Sequence, residues 1–141
     1  MTISIGPNGT ILKPGNSTVL VPVTVTCTVN SLSGFSYTPA SGTITVTLSQ
    51  TFKGITTTGT GSTQVTCTGQ PQSLVVTVAA PSGSGFRPGA AVVSASGSAY
   101  GTFDFRVGYC NTDQCFYQIV TQGYFDTGSA GPQPITLVTP D

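Results

Sequence analysis

In the stretch VLVPVTVTCTVN, Val19, Val21, Val23, Val25, Cys27 and Val29 share one parity, while Thr24, Thr26 and Thr28 take the other. A period of two predicts a half-buried strand with Cys27 facing inward. Pro22 holds the outward parity and has no N–H to donate, which places the start of this strand at an edge or a bulge. The alternation recurs in TITVTLSQTF, with Ile44, Val46 and Leu48 inward, and in QVTCTG, with Val65 and Cys67 inward. Further strands are predicted over 73–80, 90–100, 102–109, 115–125 and 134–139, separated by clusters of Gly, Pro, Asn and Ser.

Eight or nine short strands with no helical period after them predict an all-β chain. The expected architecture is an antiparallel, immunoglobulin-like β-sandwich forming one domain over 1–141, with the two cysteine strands in facing or neighbouring sheets. A small closed barrel is the architectural alternative. The chain has no Trp to pack beside an inter-sheet disulfide, so the expectation excludes an antibody-type domain.

Composition narrows the function. Charged residues are 6% of the chain: Lys13, Lys53, Arg87 and Arg106 stand against Asp104, Asp113, Asp126 and Asp141. Four scattered cations make no basic patch, which argues against DNA or RNA as a partner. An almost uncharged surface must be wetted by hydroxyls and amides, and zero net charge favours association over colloidal repulsion. The opening MTISIGPNGT has neither the basic nor the apolar region of a signal peptide, and no run is long enough to cross a bilayer as a helix. Both chain ends are expected to be tied into the fold, because ends otherwise fray.

The stretch VTCTGQPQSLVVTVAAPSGSGFRPGAAVVSASGSA (65–99), preceded by the VTCT of 25–28, resembles small immunoglobulin-like β-sandwich proteins of bacterial, especially actinobacterial, cell surfaces and similar modules on phage virions. The shared features are a cysteine strand, a Gly-Gln turn, an apolar strand, and an aromatic-x-Pro-Gly turn at Phe86, Pro88 and Gly89. The resemblance implies adhesion or a structural role and brings no catalytic residues.

Catalytic chemistry finds little support. FDTGSA (125–130) matches the Asp-Thr-Gly of aspartic proteases, but those enzymes need two carboxylates sharing a proton, and no second such motif exists. The segment reads more simply as a turn. With no His and no Glu, the chain lacks the usual general bases. Asp104 and Arg106 share a strand parity and read as a surface pair. TTTGTGSTQ and PSGSGFRPG lack the pattern of phosphate-binding loops and are read as plain loops. Asn8-Gly-Thr10 and Asn16-Ser-Thr18 match glycosylation acceptors, which matter only in a eukaryotic secretory pathway. No cofactor is expected.

Eight aromatics, Tyr100, Phe103, Phe105, Tyr109, Phe116, Tyr117, Tyr124 and Phe125, crowd into the C-terminal half. Phe residues are assigned to the core, and Tyr109, Tyr117 and Tyr124 are the contact candidates, since Tyr offers a stiff apolar body with a polar tip.

The four cysteines complete the picture. Cys27 and Cys67 are far apart in sequence and there is no His, so the spacing does not suit zinc. Cys110 and Cys115 flank Asn-Thr-Asp-Gln between strand-like runs rather than opening a helix, unlike a thioredoxin-type pair. The preferred reading is a hairpin disulfide Cys110–Cys115 with Cys27–Cys67 as a second bridge, among three possible connectivities. The clip places Asn111, Thr112, Asp113 and Gln114 at a stiff, solvent-facing tip. Disulfides without an export signal fit two histories: a secreted or cell-surface adhesive or glycan-binding module whose leader has been removed, or a virion protein oxidised after lysis. The second is preferred. The expected function is therefore non-enzymatic: a virion-surface structural protein that decorates a capsid or tail, with its own copies or capsid and tail proteins as partners.

Overall fold

β-branched residues alternating with hydroxyl residues form eight strands in the computed structural model, which describes residues 1–13, 15–27 and 36–140. In chain order they are β1 (Thr2–Ile5), β2 (Asn8–Leu12), β3 (Thr18–Thr26), β4 (Ser36–Phe52), β5 (Ile55–Thr66), β6 (Gln72–Ala79), β7 (Gly89–Cys110) and β8 (Cys115–Val138). Among the described residues no helix is long and apolar enough to cross a membrane. Thr28 and Val29, which the alternation assigns to the first predicted strand, and the terminal Asp141 lie outside the described residues.

β1 and β2 lie end to end along one side of β3, with Ile3 opposite Val25 and Ile11 opposite Val19. β6 lies along the other side, with Val21 opposite Val76. Pro22 therefore sits in an interior strand. Its carbonyl accepts from the Gly6 N–H at 2.9 Å, so its missing donor faces the break between β1 and β2. β4 is flanked by β5 and β7, and β7 runs antiparallel to β8 from Gly89–Leu137 to Cys110–Cys115.

Two further contacts bridge what would otherwise be sheet edges. β5 meets β6 at Thr60–Ala79, and β2 runs parallel to β8 from Asn8–Thr136 to Thr10–Val138. The sheet thus closes on itself as a seven-stranded mixed barrel in the order β3, β2, β8, β7, β4, β5, β6, with β1 alongside β3. This corrects the expected antiparallel immunoglobulin-like sandwich, which needs two sheets with open edges. Glycine explains one bridge: a Cβ on Gly61 would collide with the Thr77 carbonyl, and one on Gly59 would come within 2.9 Å of the Ala79 carbonyl oxygen. Only glycine lets β5 lie this close to the β6 backbone.

The inward parity fills the barrel. Val19, Val21, Val25, Ile44, Val46, Leu48, Val76 and Val78 are fully buried, and Cys27, Val65 and Cys67 lie with them, as their alternation predicts. Phe86, in the loop between β6 and β7, is buried at one end, its N–H donating to the Asn16 carbonyl at 2.8 Å. No buried side-chain nitrogen or oxygen among the described residues lacks a hydrogen-bond partner. Between Val93 and Ala95 the β7–β8 register shifts: Val93 faces Gln133 while Ala95 faces Ala130. The bulge flips the inward parity of β8 from Ile135 and Leu137 to the even-numbered Tyr124, Asp126, Gly128 and Ala130.

Candidate interaction surface

Beyond Ser36–Asp104, the last pairing of β7 with β4, no other strand among the described residues pairs with the β7–β8 hairpin. Six residues of β7, 105–110, extend roughly 20 Å from the barrel at about 3.3 Å per residue. The arm is exposed along its length, from Arg106 to Ile119. Cys110 and Cys115 sit directly opposite each other and are joined by a disulfide, closing the tip as their spacing suggests. Within the tip, Asn111 Oδ1 accepts from the N–H groups of Asp113 and Gln114, at 3.1 and 2.9 Å, and the Asn111 N–H donates to the Gln114 carbonyl. Asn111, Thr112, Asp113 and Gln114 are thus exposed on a stiffened turn.

The two faces of the arm differ. One continues the barrel's inward parity and carries Phe103, Phe105, Val107 and Tyr109 from β7 and Phe116, Gln118 and Val120 from β8. Tyr109 stacks on Phe116 with ring centroids 5.3 Å apart, and Phe103 lies 5.9 Å from Phe105. This face has no charged residue. The other bears Asp104, which accepts from Thr121 Oγ1 at 2.6 Å, and Arg106, whose guanidinium lies 5.2 Å above the Tyr117 ring. Such cross-strand pairs help hold a two-stranded ribbon together.

The aromatics divide differently from the sequence expectation. Phe103 is buried, but Phe116 and Phe125 are exposed, Phe125 at 74%. Tyr109 and Tyr117 are exposed contact candidates, whereas Tyr124 packs against the core and its hydroxyl accepts from the Ala40 N–H at 3.0 Å. The β8 bulge is the reason: it turns Tyr124 inward and Phe125 outward, where Phe125 packs against Tyr100.

FDTGSA is not a turn. It lies in β8, with Asp126 opposite Ala99 and Gly128 opposite Gly97. The Asp126 carboxylate pairs with the Met1 amine, and Gly128 leaves room for the Met1 backbone, which a Cβ would strike. Asp104, opposite Thr121, stands roughly 16 Å along the strand, too far to share a proton with Asp126. Ligand atoms of Cys27, Cys67 and Asp126 lie within 4.8 Å of one another, a grouping the sequence spacing did not signal. Cys27 and Cys67 are bonded as a disulfide, so their sulfurs are not thiolate ligands and one carboxylate remains. TTTGTGSTQ is likewise strand, part of β5, while PSGSGFRPG forms the loop before β7.

That loop and the β4–β5 turn form a cleft of about 210 Å³ at the end of the barrel away from the arm, lined by Gln50, Phe52, Ile55, Ser84 and Arg87 among others. Gln50 fixes its floor: its side-chain nitrogen donates to the Arg87 and Ala90 carbonyls, at 2.8 and 3.2 Å, and its side-chain oxygen accepts from the Arg87 N–H at 2.8 Å. The Arg87 guanidinium lies 4.4 Å above the Phe52 ring and the Lys53 ammonium 5.5 Å from it. Sequence analysis missed this cleft, although two cations flanking glycine-rich turns were its visible signal.

Comparison with protein-family models, curated proteins and solved structures finds no match to this chain.

Proposed function

We propose that this chain is a non-enzymatic structural protein exposed on a virion surface, as a capsid decoration or tail component, and that it engages protein neighbours through the β7–β8 arm. The carrying observation is the arm itself: a clipped, exposed ribbon about 20 Å long with an uncharged aromatic face, beyond the last described pairing with β4. Exposed apolar surface of this kind marks contact sites, and a preorganised loop loses little entropy on docking. Two disulfides suit an oxidising, extracellular setting. Fractionation of the native source with non-reducing mass spectrometry tests the reading. Co-purification with particles, both bridges intact, is expected; recovery only as a free secreted monomer overturns it.

The exposed stacked rings of Tyr109 and Phe116 favour a second reading, a secreted adhesive module that lays a sugar ring on this face. Glycan-array binding by the isolated monomer, lost in Tyr109→Ala, would select it over the first.

A further inference from the structure

Net charge is zero, but the charge is not evenly placed. Strand directions put the turns after β2, β4 and β6 at one end of the barrel and the arm at the other. Lys13, Lys53 and Arg87 occupy those three turns, which contain no acidic residue; Asp141, three residues after the end of β8, lies outside the described residues. The arm carries Asp104 and Asp113 against one guanidinium, Arg106, with Asp113 at the exposed tip. Along β7, from Gly89 to Cys110, the two ends are roughly 70 Å apart.

Resting on the structural reading above, we infer that copies of this chain associate head to tail, the arm tip of one seating in the Phe52–Arg87 cleft of the next. Three observations converge on a second copy as the occupant. The cleft's charge is opposite to that of the tip. Its 210 Å³ falls below the roughly 300–1,000 Å³ of small-molecule pockets and suits one or two protruding side chains. Its rim exposes Phe52 and Ile55, at 43% and 71%, as apolar partners for the aromatic residues behind the tip. In addition, no strand among the described residues pairs with the outer edge of β8 from Cys115 to Phe125, which has no Lys or Pro, the usual protection of a strand that stays bare. Made in one direction only, a tip-to-cleft contact joins two different surfaces and propagates into a ring or a filament; made reciprocally, it closes an antiparallel pair.

Sedimentation velocity of the full chain at low salt tests this. Oligomers growing with concentration are expected, weakening as salt screens the exposed charges. Asp113→Lys and Arg87→Glu should each weaken association about tenfold or more by setting like charges together. Mixing the two variants should restore association, because the native tip of the Arg87→Glu chain meets the native cleft of the Asp113→Lys chain, and the two reversed charges are again opposite at the next contact. Lys53→Glu repeats the cleft test without touching the Gln50–Arg87 contacts, and an unchanged melting curve verifies the fold of each variant. A wild-type chain that stays monomeric at all concentrations overturns the inference, as does association indifferent to both reversals. A chain that co-purifies with particles yet remains monomeric alone removes head-to-tail contact and leaves the structural role standing.

Discussion

Gly61 is where a missing side chain matters most. Its Cα faces the Thr77 carbonyl at the seam between β5 and β6, and any Cβ forces the two strands apart. Gly61→Val is expected to destabilise the barrel by about 1–3 kcal/mol, read from the denaturant midpoint. Gln50 is the corresponding polar case. Its buried amide ties β4 to Arg87 of the 80–88 loop through two hydrogen bonds and to Ala90 of β7 through a third, and Gln50→Leu leaves the Arg87 N–H without that acceptor. A loss of about 1–3 kcal/mol is expected, with faster amide exchange at Arg87 as the local signature. Gly61 was not legible in the sequence: TTTGTGSTQ read as a loop because glycine normally weakens strands, whereas here it permits close backbone approach. Tyr124 and Phe125 were misassigned for a related reason. The alternation rule holds on each side of the Val93–Ala95 irregularity, and the Gly131–Pro132 step opposite it marks an interruption without showing that parity changes there.

Strands with strict β-branched alternation were readable almost to the residue: Val19 to Val25, Ile44 to Leu48, and Val65 with Cys67 all face inward. What the sequence concealed was continuity. The segments 90–100 and 102–109 fall in the single strand β7, and 115–125 and all but the last residue of 134–139 fall in β8, because Gly101 and the Gly131–Pro132 step interrupt the pattern without ending the ladder. Merging them produces the arm, whose tip was the most legible part of the candidate surface because the cysteine spacing announces a clip. The two bridges should behave differently. Replacing Cys110 and Cys115 together with Ser is expected to raise amide exchange over 105–119 while leaving the melting temperature nearly unchanged, since the arm contributes little to the core. Replacing Cys27 and Cys67 with Ala removes a bridge of sequence separation 40 inside the core, and chain entropy predicts a loss of about 4 kcal/mol in equilibrium unfolding.

At the scale of the whole molecule, the alternation that predicts strands says nothing of how a sheet ends. A sandwich and a barrel share the same inward valines, and they differ in two short bridges, the single pair Thr60–Ala79 and the three-residue parallel ladder of β2 with β8. Barrel closure leaves an outer surface wetted by hydroxyls: Thr45 and Thr47 on β4 stand beside Ser94 and Ser96 on β7 and Ser129 on β8. Thr136→Pro should expose how much the parallel bridge contributes, because it deletes the N–H that donates to the Pro7 carbonyl at 3.0 Å. The expected result is a lower melting temperature with a greater tendency to aggregate, measured by calorimetry and light scattering, as β2 and β8 become open edges. That same bridge sets a clock on biosynthesis. At about 5–20 residues per second, the ribosome releases β2 many seconds before its partner at 136–138, so the nascent chain passes through an interval with a bare strand available to neighbouring chains.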